Sequence, residues 1–151
     1  MVPLNIDLLD YHNKLHIKYQ GSERLVFDSI RKRWLPFTSE EFVRQLFIEY
    51  LVWDRQYPKN WISVERGIHI NGIYRRYDIA VHDKEMNPTI LIECKSPSIT
   101  ISQDAFDQIL HYNMAMNVPL LVVTNGASSY CCTIDQEKGK LQFLPEIPVY
   151  Q

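Results

Sequence analysis

The chain has 151 residues, 46% hydrophobic and 23% charged, with a formal net charge of −2. That is the composition of one globular domain with a proper core, and it excludes a global basic field that would advertise nucleic-acid binding; any such contact must come from locally clustered Lys and Arg. Three cysteines, two of them adjacent (Cys131 and Cys132) and none in a Cys-x-x-Cys pair, exclude a zinc finger and a disulfide scaffold and fit a reducing cytoplasm. Asp7 and Asp10 fall where a signal peptide needs an apolar core, and no apolar run reaches membrane-spanning length, so the expected location is cytoplasmic, with no membrane partner.

In chain order, Leu15–Tyr19 and Leu25–Phe27 flank the turn Gln20-Gly21-Ser22-Glu23 and predict a hairpin. The basic run Ile30-Arg31-Lys32-Arg33-Trp34 reads either as a solvated connection or as a phosphate-contacting edge. Thr38 opens the clearest helix, with Glu41 three residues on completing a capping box. Phe42, Val43, Leu46, Phe47, Tyr50 and Leu51 recur at helical spacing, and the helix should end near Trp53, before Pro58. Strands are predicted over 61–65, 75–82 and 89–95, with a bend or turn around Asn71-Gly72. Consecutive Leu91-Ile92 suits a strand covered on both faces. Ser102 caps a second helix running to about Asn117, with Ala105, Phe106, Ile109, Leu110 and Met114 inward. A buried strand over 118–124 follows, then an edge hairpin from Tyr130–Ile134 and Lys140–Phe143. A helix between two strands implies a crossover, so an α/β fold with a mixed sheet and helices on its faces is expected. Trp34, Trp53 and Trp61 are assigned to the core, and the five scattered histidines lack zinc-site spacing. No Gly-x-Ser-x-Gly context supports a serine hydrolase.

Charge inside the strands is the informative feature. Asp78 sits in Tyr77-Asp78-Ile79-Ala80-Val81, and Glu93 and Lys95 sit in Leu91-Ile92-Glu93-Cys94-Lys95. Buried charges are costly unless paired or bound to a metal. Strand alternation puts Glu93 and Lys95 on one face and Cys94 on the other. If both strands open on one cleft, Asp78 and Glu93 can share a divalent cation beside the Lys95 ammonium, an arrangement suited to metal-assisted phosphodiester hydrolysis. Arg75 and Arg76 read as a phosphate clamp or as charges that favour ionised carboxylates nearby.

Asp78 followed by Glu93-Cys94-Lys95 resembles the signature of PD-(D/E)XK nucleases. The stretch 38–132 resembles the N-terminal nuclease domain of type I restriction enzyme R subunits, through Glu40-Glu41-Phe42-Val43-Arg44-Gln45, Arg76-Tyr77-Asp78-Ile79, Ile92-Glu93-Cys94-Lys95-Ser96-Pro97, 106–113 and Val123-Thr124-Asn125-Gly126. Tyr77 stands where the signature has Pro. The resemblance implies a restriction-endonuclease-like core in the order αβββαβ over 37–151, with 1–36 as an N-terminal hairpin extension of a single domain. It implies Mg²⁺ or Mn²⁺ held by Asp78, Glu93 and the backbone carbonyl of Cys94, with Glu41 (or Glu40) as a helix-borne acid and Lys95 acting on the attacking water. Gln108 and Tyr112, one helical turn apart, and Arg76 would contact substrate. DNA is the implied substrate, with a homodimer or a separate restriction or motor subunit as partner. No Gly-x-x-x-x-Gly-Lys-Ser/Thr loop occurs, so no ATP use is expected of this polypeptide. No helix-turn-helix or zinc finger is recognisable, so little intrinsic sequence reading is expected. The rival reading is a nuclease fold kept as a nucleic-acid-binding or scaffold module that acts only with a partner.

Overall fold

The structure, a computed structural model, describes every residue except Asn71 and Gln136; the side chains of Ile70, Tyr112, Met114, Ala115 and Met116 also lie outside the described residues. Helix α1 spans Ser39–Trp53. Thr38 caps it, its Oγ1 accepting the Glu41 N–H at 3.0 Å. The reciprocal half of the expected capping box is not made. The Thr38 N–H donates to the Pro36 carbonyl at 3.1 Å, and the Glu41 carboxylate turns to arginines instead. The apolar stripe behaves as its spacing predicts: Val43, Leu46, Phe47, Tyr50 and Leu51 are buried and Phe42 is half-buried.

Strands β4 (Ile62–Val64), β7 (Ile79–His82), β8 (Pro88–Cys94), β9 (Leu120–Thr124), β10 (Ser129–Asp135) and β11 (Lys140–Leu144) form a mixed sheet in the order β11-β10-β9-β8-β7-β4. Helix α2 (Gln103–Met116) links β8 to β9, the only parallel neighbours among the described strands; the other pairs are antiparallel. The chain is thus α/β with a mixed sheet. Alternation sorts the core into two layers. Ile79, Val81, Ile90, Ile92 and Cys94 pack with α1, while Ala80, Leu91, Val123 and Cys132 pack with Phe106 and Ile109 of α2. Each such large apolar side chain contributes about 1.5–3 kcal/mol on burial.

Three expectations need correction. The predicted single strand over 75–82 is two strands. β6 (Ile73–Arg76) pairs only with β5 (Gly67–Ile70) as a separate hairpin, and β7 joins the main sheet. The chain changes partners at Tyr77-Asp78, where the Asp78 side chain accepts the Cys94 N–H at 2.8 Å. The N-terminal hairpin, β1 (Ile17–Gln20) and β2 (Glu23–Asp28), gains a third strand, β3 (Arg33–Pro36). Its turn residues Ile30 and Arg31 donate their N–H groups to Asp28 Oδ1. Trp34 and Trp53 are not core residues: they are 38% and 59% exposed, each under a lysine, Lys18 over Trp34 at 4.2 Å and Lys14 over Trp53 at 4.0 Å. Their apolar area is covered by an amphipathic side chain rather than by the sheet. Residues before β1 also reach the α1 layer, where Leu4 and Leu8 are buried.

Candidate metal and phosphodiester site

The register brings the two carboxylates together. Ile79 pairs with Ile92 and Ala80 with Leu91, so one step further the antiparallel ladder sets Asp78 opposite Glu93. Like charges directly opposite one another are destabilising. Glu93 shows the consequence: burial first, then the Asp78 charge and a hydrogen bond to Asp78, push its pKa up to about 7, with Arg75 and Lys95 pulling it back only in part. Below about pH 7 Glu93 therefore holds a proton beside Asp78, and the two acids are each about 15% exposed.

Arginines close the other sides. Arg44 from α1 is 5% exposed and reaches Asp78 Oδ1 at 3.0 Å, Glu41 Oε1 at 2.8 Å, Glu65 Oε1 at 3.1 Å and Glu40 Oε1 at 3.4 Å. Burial works against the Arg44 charge, but the Glu41 and Asp78 carboxylates hold its pKa above the usual guanidinium value. Arg31 bridges Asp28, Glu41 and Glu65 in turn. The result is a chain of ion pairs from β2 through α1 to Asp78. The sequence signal for the Arg44 hub is Glu40-Glu41-x-x-Arg44, which has the i,i+3 and i,i+4 spacing of helix-surface ion pairs. For Arg31, in the basic run, the signal is Asp28 three residues before it.

The remaining predicted site residues divide. Lys95 directly follows β8, is half-buried, and donates its N–H to the Thr124 carbonyl at 2.7 Å, while its charge acts on Glu93. Glu41 meets Asp78 only through Arg44. Both its oxygens are engaged, Oε1 by Arg31 and Arg44 and Oε2 by Gln45 at 3.1 Å. Arg76 turns away to Glu65, bonding its carbonyl at 3.1 Å and its carboxylate at 3.3 Å. Its neighbour Arg75 comes to Glu93 instead, at 3.7 Å. Gln108 is exposed and lines a depression of about 500 Å³ with Arg75, Asp107 and His111, placing it beside the Arg75 end of the site. The Tyr112 side chain lies outside the described residues.

Among the described residues no group of three His, Cys, Asp or Glu side chains is arranged to hold a metal ion. The Asp78–Glu93 pair still suits a hard divalent cation: its donors are carboxylate oxygens, and a cation held by them would offset both the burial and the Asp78 charge that raise the Glu93 pKa. Below the site, the Val123-Thr124-Asn125-Gly126 segment is a built turn. Asn125 Oδ1 accepts the N–H groups of Ala127 and Ser128, and its amide donates to the Ile99 carbonyl at 2.8 Å. This fixes the loop after β8 against the end of β9.

A comparison with curated proteins found no significant match. The model of a protein family, described as type I restriction enzyme R protein N terminus (HSDR_N), matches residues 39–148. The match begins with the first residue of α1, runs past β11, and includes Arg44, Asp78, Glu93 and Lys95, while Asp28 and Arg31 precede it. Most of the chain lies inside that match, and the protein belongs to the type I restriction enzyme R protein N-terminal family.

Proposed function

We propose that this is a restriction-system nuclease-like domain that hydrolyses DNA phosphodiester bonds with Mg²⁺ or Mn²⁺, built on a PD-(D/E)XK core. The family match supports the restriction context. The order α1, β4, β7, β8, α2, β9 supports the core, with the β5–β6 hairpin inserted before β7. The observation that carries the reading is the register that sets Asp78 opposite Glu93, with Lys95 two residues beyond Glu93 on the same side of the strand. A bound divalent ion would supply Lewis-acid stabilisation of the phosphate and a more acidic water. Asp78, Glu93 and the Cys94 backbone carbonyl would hold it. Arg44 fixes the Asp78 carboxylate from behind, and Lys95 offsets charge developing on the phosphate and orients water. Glu41 serves as the anchor of Arg44 and Arg31 in this reading, and not as a ligand. Gln108, Tyr112 and Arg76 are assigned to substrate contact, with Arg75 nearest the carboxylate pair. A homodimer or a separate motor subunit is the proposed partner.

One observation favours a second reading, a binding or scaffold module without turnover: Arg44 already supplies Asp78 with a cation at 3.0 Å. Supercoiled plasmid incubated with Mg²⁺ or Mn²⁺ separates the two. Metal-dependent nicking lost in Asp78→Ala, Glu93→Ala and Lys95→Ala is the expected result. DNA binding without nicking establishes the scaffold reading instead.

A further inference from the structure

We propose that the open edge of β4 carries a second site, a dock for the phosphodiester backbone of DNA, separate from the Asp78–Glu93 pair. A cavity of about 450 Å³ lies there, bounded by the Arg31-Lys32 turn, Lys59 ahead of β4, Arg66 beyond it, and His82 at the end of β7. β4 is the last strand of its sheet, and among the described residues β7 is its one neighbour and no further strand pairs with this edge.

The charge of the lining sets the ligand class. Lys32, Lys59 and Arg66 are exposed, and none of them forms a salt bridge among the described residues; no Asp or Glu lines the cavity. The contrast with the neighbouring cluster is sharp. Arg31, Arg44 and Arg76 are all consumed by Asp28, Glu40, Glu41, Glu65 and Asp78. A chain with net charge −2 thus gathers three cations that form no salt bridge among the described residues, from three separate segments, around one concavity. Exposed ammonium and guanidinium groups with no carboxylate among them suit point contacts to phosphates, which position a duplex without reading its sequence.

Continuity with the first site argues for an extended polyanion over a small one. Arg66 follows Glu65, whose N–H donates to the Asp78 carbonyl at 2.9 Å, and the Arg66 carbonyl accepts the Tyr77 N–H at 3.4 Å. The lip of the cavity and the carboxylate pair are therefore borne on the same pairing of two chain segments, so one extended ligand can engage both. The choice of DNA rests on the function proposed above; the site rests on the cavity and its charges.

The test is fluorescence anisotropy of a short labelled DNA duplex with the full chain in EDTA, where cleavage does not enter, titrated with salt. The triple variant Lys32→Gln/Lys59→Gln/Arg66→Gln should bind about tenfold or more weakly, with a log–log salt slope shallower by about 2 to 3, one unit for each lost phosphate contact. A control pair on the β10–β11 hairpin, Lys138→Gln/Lys140→Gln, should bind as the unaltered protein does. The substituted side chains are exposed, so the melting temperature should hold, and the single variant Lys59→Glu gives the same readout should the triple one fold poorly. Equal affinity and slope in the triple variant, absence of duplex binding by the unaltered chain, or displacement of the duplex by polyglutamate at equal charge would each overturn the proposal. Nicking of plasmid in Mg²⁺ is read separately, so this dock can fail while the hydrolytic reading stands, and the reverse.

Discussion

Replacing Arg44 by methionine keeps most of the side-chain length and deletes the charge at the hub of the ion-pair chain. The partners do not suffer equally. Glu41 keeps Arg31 at 3.0 Å and Gln45 at 3.1 Å, and Glu65 keeps Arg31 at 3.0 Å and Arg76 at 3.3 Å. Asp78 keeps the Cys94 N–H at 2.8 Å but no cation within salt-bridge distance among the described residues, and it still faces Glu93. The uncompensated charge therefore concentrates on one carboxylate that is 15% exposed. Breaking a buried ion pair from one side costs about 3–5 kcal/mol. The lower end applies here because Asp78 is not fully buried, and about 3 kcal/mol lowers the melting temperature of a domain this size by about 6–12 °C. The deficit should also grow with pH. At about pH 6 Glu93 retains its proton beside Asp78, whereas at about pH 8 Glu93 carries its charge there, with no guanidinium between Asp78 and α1. Thermal unfolding by circular dichroism at the two pH values measures both effects. A loss below about 1 kcal/mol, or an identical deficit at the two pH values, would refute the assignment of Arg44 as the counter-charge of Asp78.

Further outcomes follow from the same geometry. Glu93 has its folded pKa raised from 4.5 to about 7, so between those values the native state holds a proton that the unfolded chain has lost. The contribution of Glu93 is thus full below pH 4.5 and is lost as pH rises through about 7; denaturant midpoints should fall across that window, and Glu93→Gln should flatten the profile. At about pH 8, Mg²⁺ should raise the melting temperature of the unaltered protein and not that of Glu93→Gln, since a ligand that binds only the native state stabilises it. Gly126 sits at φ +90°, and an added Cβ would lie 3.0 Å from Val43 Cγ2; Gly126→Ala should cost about 1–3 kcal/mol in urea unfolding, and a neutral result would contradict the tight packing of that turn on α1.

What could be read in advance was set by local pattern. The period of Val43, Leu46, Phe47, Tyr50 and Leu51 names the buried face of α1, and the unbroken apolar runs of β8 and β9 announce strands covered on both sides. Parity alone places Cys94 inward, where it is buried, and sets Glu93 on the opposite face of β8. What could not be read depends on partners distant in sequence. The continuous pattern from Arg75 to His82 hides a change of sheet at Tyr77-Asp78, because alternation does not say which strand lies alongside. Arg76 was favoured over Arg75 for the site, but the β6 hairpin sends Arg75 to Glu93 and Arg76 to Glu65, a choice made by hairpin orientation. The alternation of their neighbours points Trp34 and Trp53 into the core, yet each is exposed with a lysine ammonium over its ring, a contact made by residues that the local pattern does not single out. The Arg31–Glu41–Arg44 chain joins residues before the family match to the carboxylate pair inside it, a link that only the packing of the three-stranded sheet on α1 creates.

Asp78 and Glu93 are proposed to share one divalent ion. Crystals grown at about pH 8, where Glu93 is ionised, and soaked in Mn²⁺ report on it directly through anomalous diffraction. The predicted result is one strong peak bonded to both carboxylates at carboxylate–metal distances, absent in Asp78→Asn crystals treated in the same way. Saturating Mn²⁺ with no density between the two side chains, and Arg44 and Arg75 still closing the pair as ordinary salt bridges, would contradict it.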